Sequence, residues 1–195
     1  MIQHANALGS SAVGGTVVNT NAVLEIAGGI TTAAEPVTLY GTFSSQTGIN
    51  TFAGAITMVN GAIIDVGSSS LLIVSGSTTG SGGFKKVGGG LMHLTADPDL
   101  PALHALHAGT LVLEYASGTQ DSCISIAPGA TLRQLSANDL NDATSITNNG
   151  TYDMRTSDTM GMLVGNGLVT VGTGVSATLA IGNEANKVCT FSGVI

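Results

Sequence analysis

The chain has 195 residues, enough for a sizeable core, and its 43% hydrophobic content with only 9% charged residues excludes a disordered chain. Its net charge of −7, with five Lys plus Arg, argues against nucleic acid and anionic membranes as partners, because both require basic patches. No apolar run approaches the roughly 18 residues of a membrane-spanning helix, and the first residues, MIQHANALGSS, lack the basic and apolar regions of a signal peptide.

A short pattern recurs along the chain, in which a turn residue precedes apolar residues two positions apart. This alternation predicts β-strands, because successive side chains of a strand point to opposite faces. The 28 glycines favour tight turns between such strands. In chain order, the predicted strands lie in NAVLEI (21–26), NGAIIDV (60–66), SSLLIV (69–74), GGGLMHL (88–94), HAGTLVL (107–113), PGATLRQL (128–135), NNGTYDM (148–154), GNGLVTV (165–171) and SATLAI (176–181).

Equivalent apolar residues recur at a nearly constant spacing. The residues concerned are Leu72, Met92, Leu111, Leu132 and Tyr152. Each follows the one before it by about 20 residues, a period typical of one coil of a β-solenoid. We therefore predict an all-β fold, a single parallel β-solenoid over residues 1–195, with these five residues in one inward ladder. A β-sandwich is the alternative. The predicted turn glycines are Gly83, Gly88, Gly90 and Gly109.

The stretch GSGGFKKVGGGLMHL (80–94) has the glycine content of a phosphate-binding loop but not its order. Lys85 and Lys86 precede the second group of glycines, and a strand follows where a phosphate-binding loop leads into a helix. We interpret its glycines as coil corners and expect Phe84 and Val87 to pack inward. The next segment, DPDLPALHALHAG (97–109), predicts either a short helix or a bulged loop, with 97–107 as an insertion on the solenoid wall.

Two sets of residues are candidates for ligand chemistry with metals or thiols. His104 and His107, with Asp97 and Asp99 nearby, would hold a divalent metal if a short helix placed them on one face. We expect solvated histidines instead, with His93 pointing outward, and we expect no metal site and no cofactor. The cysteines, Cys123 and Cys189, lie in apolar strand contexts, which favours buried free thiols, and a disulfide between them stays open.

A group of charged residues follows in the second half of the chain. Arg133 and Arg155 lie about one coil apart in the sequence and would share one outer patch. Carboxylates on the outer face of a β-helix can act as acid and base on a glycan, or as calcium ligands. The simpler interpretation is a solvated face, and we predict no catalytic residue. The acidic residues concerned are Asp139, Asp142, Asp153 and Asp158.

The stretch GSGGFKKVGGGLMHLTA, followed by AGTLVL, resembles the autotransporter-associated β-strand repeat of large bacterial surface proteins. That repeat reads approximately G-x-G-G-[LF]-x-K-x-G-x-G-x-L-x-L, then a spacer, then A-G-T-L. Weaker similarity in residues 6–26, 50–56 and 179–195 extends the resemblance over most of the chain. The matching residues are Gly80, Gly82, Gly83, Phe84, Lys86, Gly88, Gly90, Met92, Leu94, Ala108, Gly109, Thr110, Leu111 and Leu113.

This resemblance implies a right-handed parallel β-helix with a structural or adhesive role rather than an enzymatic one. It also implies a location outside the cell, on the bacterial surface or secreted. We expect one segment of a longer repetitive protein, with itself or neighbouring solenoid repeats as end-to-end partners. The alternatives are a self-assembling fibre subunit that stacks end to end, and a β-helix that binds or cleaves host or environmental glycans.

Overall fold

The computed structural model describes residues 1–9, 14–96, 98–99, 103–115, 123–182 and 190–195, and none of these residues is helical. They form 22 short strands, and every pairing between the strands is parallel. Parallel pairing throughout excludes the β-sandwich alternative, whose strands pair antiparallel.

Three long walls and a short fourth sheet make up the molecule. The eight-stranded sheet contains β2 (Val23–Ile26), β4 (Thr42–Ser45), β7 (Ala62–Val66), β10 (Phe84–Val87), β13 (Leu103–Leu106), β15 (Cys123–Ile126), β17 (Ser145–Asn148) and β20 (Met162–Val164). The seven-stranded sheet contains β5 (Gly48–Phe52), β8 (Ser70–Val74), β11 (Leu91–Leu94), β14 (Thr110–Leu113), β16 (Thr131–Gln134), β18 (Thr151–Met154) and β21 (Leu168–Val171). The five-stranded sheet contains β1 (Thr16–Val18), β3 (Val37–Leu39), β6 (Ile56–Met58), β9 (Thr78–Thr79) and β12 (Pro98–Asp99), and the two-stranded sheet pairs β19 (Asp158–Met160) with β22 (Leu179–Ile181).

The chain visits the three walls in a fixed order, so each circuit forms one coil. Strands β7, β8 and β9 lie in the eight-, seven- and five-stranded sheets, and β10, β11 and β12 repeat that order one rung further on. Paired residues therefore lie on successive coils, as Leu72 and Met92 do. The fold is a parallel β-solenoid of about eight coils, as the sequence period predicts.

Alternation within the strands separates the core from the surface. In β7 and in β8 the first, third and fifth residues are buried, while the second and fourth are partly exposed. Aliphatic side chains fill most of the interior, and Phe43 and Phe52 pack edge to face with ring centroids 5.0 Å apart. The core is therefore continuous along the stack.

The third wall, which consists of the five-stranded sheet and further along the two-stranded sheet, is less regular than the other two. The five-stranded sheet ends at β12, and residues 135–144 contribute no strand before β19 pairs with β22. Within 97–107, the described residues form β12 and β13, each paired with neighbouring coils. Neither predicted alternative, a short helix or a bulged loop, is therefore found at residues 98–99 and 103–106, whereas residues 97 and 100–102 lie outside the described part.

Candidate functional site

The five residues predicted to form the inward ladder occupy one column of the seven-stranded sheet. Leu72 pairs with Met92, Met92 with Leu111, Leu111 with Leu132, and Leu132 with Tyr152. All five are buried in the core. Their stacking along the axis packs each coil against the next.

The four predicted turn glycines lie where backbones of successive coils approach closely. Gly88 and Gly109 adopt the left-handed backbone region, with φ of 73° and 67°. Gly83 and Gly90 have no positive φ, but a side-chain carbon on either would collide with a carbonyl oxygen of a neighbouring coil. The requirement at these corners is therefore absence of a side chain, and positive φ adds to it at two of them.

Lys86 lies inside the solenoid, in the glycine-rich stretch. Its side chain is fully buried, and its ammonium group donates to the backbone carbonyls of Val87, Gly88 and Ala108 at 2.8–3.1 Å. Burial lowers the pKa of Lys86 to about 8, and the charge of Asp65 opposes that shift. The expectation that Val87 packs inward is wrong, because Val87 pairs with Asp65 on the outer row while Phe84 and Lys86 point inward.

Asp139 lies inside the third wall, in the segment that has no strand, and binds backbone N–H groups there. It is buried, and its carboxylate accepts hydrogen bonds from the backbone N–H groups of Tyr115, Leu135 and Ser136 at 2.7–3.1 Å. Burial raises the pKa of Asp139, and these three donors oppose the rise. Because Tyr115 lies 24 residues away, the carboxylate replaces a missing bond between two coils.

Asp158 likewise binds backbone N–H groups where the third wall has no strand, one coil further on. Its carboxylate accepts hydrogen bonds from the backbone N–H groups of Leu140 and Thr159 and from the side-chain amide of Gln134. The Gln134 carbonyl in turn accepts a 2.7 Å hydrogen bond from the Tyr152 hydroxyl. Burial raises the pKa of Asp158 to about 6, so this buried network contains a group that titrates near neutrality.

Arg133, Asp153 and Arg155 form a charged cluster on the outer face of the seven-stranded sheet. Asp153 lies beside Arg133 in register and accepts its Nε–H at 2.7 Å. Arg155 donates Nε–H and Nη2–H to the two oxygens of the same carboxylate, both at 2.9 Å. Burial opposes ionisation of Asp153, but the hydrogen bonds from Arg155 and Arg133 outweigh it and hold its pKa below the usual value.

The four acidic residues predicted on one outer patch are divided among three environments. Asp153 lies on the outer face, whereas Asp139 and Asp158 lie inside the third wall. Asp142 is exposed in the segment that precedes β17. The interpretation of these acids as one solvated face is therefore wrong. Asp153, on the outer face, is engaged by two guanidinium groups.

The histidines and cysteines do not converge. His104 points inward, with its ring 4.8 Å from that of Phe84, so the expectation of a solvated histidine is wrong there. His107 is exposed, and among the described residues no group of three or more His, Cys, Asp or Glu could hold a metal ion. His93 points outward as predicted, with Nε2 2.7 Å from Glu114 Oε2.

Cys123 is a free thiol but exposed rather than buried, and Cys189 lies outside the described residues.

The glycines at 82–83 line an open groove of about 630 Å³ on the outside of the eight-stranded sheet. Lys85 is the one charged side chain among its lining residues, which also include Asn60 and Leu103. A phosphate-binding loop requires a helix N-terminus and a lysine directed at the ligand. Here the second lysine of the motif, Lys86, is directed into the core.

The polar residues inside the core were not predicted from the sequence. Lys86 follows the inward Phe84 by two positions, so strict alternation would have placed it inside. Gln134 likewise follows the inward Leu132 by two positions. Asp139 lies outside any strand, and no periodic signal marks it.

No protein-family model, curated protein or solved structure matches this chain. Among the described residues, no helix is long and apolar enough to cross a membrane. The function of the chain is therefore inferred from its own geometry.

Proposed function

We propose that this chain is a structural segment of a stiff rod or stalk in a bacterial surface or secreted protein of the autotransporter-like kind. The observation that carries the proposal is the unbroken parallel register over eight rungs of one wall and seven of another. With rungs about 4.8 Å apart, eight of them span about 35 Å. A longer series of such coils would extend the rod without changing its cross-section.

The energetics of a stacked solenoid fit this role. Each coil contacts mainly the coils before and after it, so stability grows with nearest-neighbour interfaces. A force across the stack is shared by the hydrogen bonds of all walls at one rung. The rod proposal assigns no catalysis to the chain, and the engagement of Asp153 by two arginines supports that assignment.

The residues that resemble the surface-protein repeat occupy structural positions, which supports the same proposal. Gly83, Gly88, Gly90 and Gly109 allow close approach of coils, and Lys86 binds the carbonyls of two successive corners. The resemblance thus rests on residues that a rod needs. An acidic chain with few charged residues suits a repetitive β-structure that must stay soluble.

Location outside the cell is tested on the intact bacterium that makes the protein. Antibodies raised against the folded chain should label intact cells or the medium, and externally added protease should remove the label. A cytoplasmic protein serves as the control for lysis. Labelling that appears only after lysis would contradict the extracellular part of the proposal and leave the rod part to its own test.

End-to-end assembly is a second candidate function, favoured by two exposed apolar residues in β21 and β22. Val171 and Ile181 continue buried columns, since they pair with the buried Met154 and Met160, yet they are 44% and 42% exposed. A further coil placed on them, from a second copy, would bury these side chains. Light scattering over a concentration series should show growing particles that Val171→Asp abolishes. A concentration-independent monomer would count against the fibre.

A further inference from the structure

Both arginines of the sequence converge on one carboxylate on the outer face of the seven-stranded sheet. We propose that Arg133 and Arg155, which Asp153 holds in place and which form with it the arginine patch, bind a single carboxylate group of an acidic polysaccharide. A rod needs no ligand, so this binding site goes beyond the structural role and can be tested apart from it.

The charge balance of the patch leaves one positive charge uncompensated. Two guanidinium groups face one carboxylate, and Thr170, the next residue in the column, is neutral. The Glu114 carboxylate, which follows β14, lies 2.7 Å from His93 Nε2, and among the described residues it forms no ion pair with either arginine. In a chain with only five Lys plus Arg, two cations placed on one anion form the strongest concentration of positive charge on the described part of this wall.

The guanidinium groups keep donors available for a ligand. Among the described residues, Arg133 donates to Asp153 through Nε–H, and neither of its Nη groups has an acceptor. Arg155 uses Nε–H and Nη2–H and leaves Nη1. Both side chains are 36% exposed while Asp153 is only 8% exposed, so the arginines cover the carboxylate and face solvent themselves.

The patch is held in place by its surroundings. Asp153 fixes both arginines by charge-assisted hydrogen bonds, which are stronger and shorter than neutral ones. The guanidinium of Arg155 lies over Gly172, where a side-chain carbon would collide with it. Preorganised donors lose less conformational entropy on binding than free side chains do.

The chemistry of the donors favours a planar monoanion on a sugar. A guanidinium group presents parallel N–H donors that match the two oxygens of a carboxylate. One uncompensated charge matches one carboxylate. Thr131 and Thr151 form the adjacent outer column, partly exposed, and their hydroxyls can exchange hydrogen bonds with sugar hydroxyls. A uronic acid polymer supplies both groups.

The ligand class is tested by calorimetric titration of the full chain with three probes. Polygalacturonate should bind, and its binding should weaken as salt is raised. Fully methyl-esterified polygalacturonate, which has the same backbone without the charges, should not bind. Dextran sulfate should bind more weakly than polygalacturonate. Equal binding of the methyl ester, or of dextran sulfate, would overturn carboxylate recognition.

Three variants locate the site. Arg133→Gln should weaken polygalacturonate binding about tenfold, the loss expected for a charged hydrogen bond. Arg155→Gln, which removes the other guanidinium group, should weaken it by a similar factor. Lys85→Gln removes the same charge from an exposed position on another wall and should leave binding unchanged.

Thermal unfolding of each variant separates binding from folding. If Arg133→Gln does not fold, Arg155→Gln still tests the patch. Unchanged affinity in both patch variants, or an equal loss in Lys85→Gln, would overturn the proposal. Either result would leave the rod role intact, because neither depends on coil stacking.

Discussion

A buried lysine is tolerated in this core because its ammonium group is fully satisfied. An ammonium has three N–H donors, and Lys86 directs them at three backbone carbonyls. Two of these carbonyls, of Gly88 and Ala108, belong to successive corners, so one side chain joins two coils. Removal of this group would leave buried acceptors without donors, which costs more than the bond itself contributes.

We therefore expect Lys86→Met to destabilise the protein by about 1–3 kcal/mol, although methionine has similar volume and is apolar. Urea denaturation gives the free energy of unfolding. Lys85→Met, at the exposed neighbouring position, should change it by less than about 0.5 kcal/mol. Equal effects of the two substitutions would contradict the role given to the buried ammonium.

The Asp158 carboxyl makes stability depend on pH. Its pKa is about 6 in the folded protein against an ordinary 3.8, so the folded state binds this proton more tightly than the unfolded chain does. The stability it contributes is complete below pH 3.8 and is lost as the pH rises through about 6. Asp158→Asn should make the fall of unfolding free energy across this window shallower, as measured by urea denaturation at a series of pH values.

The neighbours of Asp158 provide the controls. Asp139 and Asp142 raise its pKa further, and Asp142→Asn, at an exposed position, should keep most of the pH slope. Asp153 acts in the opposite sense, because its lowered pKa makes its contribution disappear only as the pH falls below 3.8. An Asp158→Asn slope equal to that of the native chain would show that the buried carboxyl does not titrate in this window.

At the level of strands, the inward columns carry the stability of the stack. Leu111 lies between Met92 and Leu132 in its column, and Leu111→Asp would place an unpaired charge there. We expect a loss of several kcal/mol, seen as a lower Tm in a thermal melt. Thr110→Asp, one residue earlier on the outer face, should leave the Tm nearly unchanged. A stable Leu111→Asp variant would refute the inward assignment.

Strands with clear alternation were predictable from sequence, and the third wall was not. The period between Leu72 and Tyr152 predicts the register of the seven-stranded sheet, because each apolar residue stacks on its equivalent one coil away. Strands such as Thr78–Thr79 are too short to show alternation. Where that wall has no strand, Asp139 and Asp158 bind backbone N–H groups, and such contacts depend on the fold rather than on a local pattern.

For the candidate binding site, only the pairing of Arg133 and Arg155 was predictable. Their separation in the sequence placed them about one rung apart. Which of four acidic residues would join them depends on which side of the wall each one faces. Alternation within β18 assigns Asp153 to the outside because Tyr152 is inside, but Asp139 and Asp142 precede β17 in a segment without alternation.

On the scale of the whole molecule, the coils act as a series of equivalent units. Contacts run mainly between neighbouring rungs, and three walls connect successive coils as far as β12. Such an array can lose coils from an end without unfolding the rest. A rod of this kind should therefore yield to force coil by coil.

Single-molecule extension of the chain from its two ends tests this most directly. The account predicts contour-length increments in multiples of about 70 Å, the extended length of one coil of about 20 residues. Leu111→Asp should lower the force at the central steps. Release of the whole chain in one event, or increments unrelated to the coil length, would contradict a rod built from separable coils.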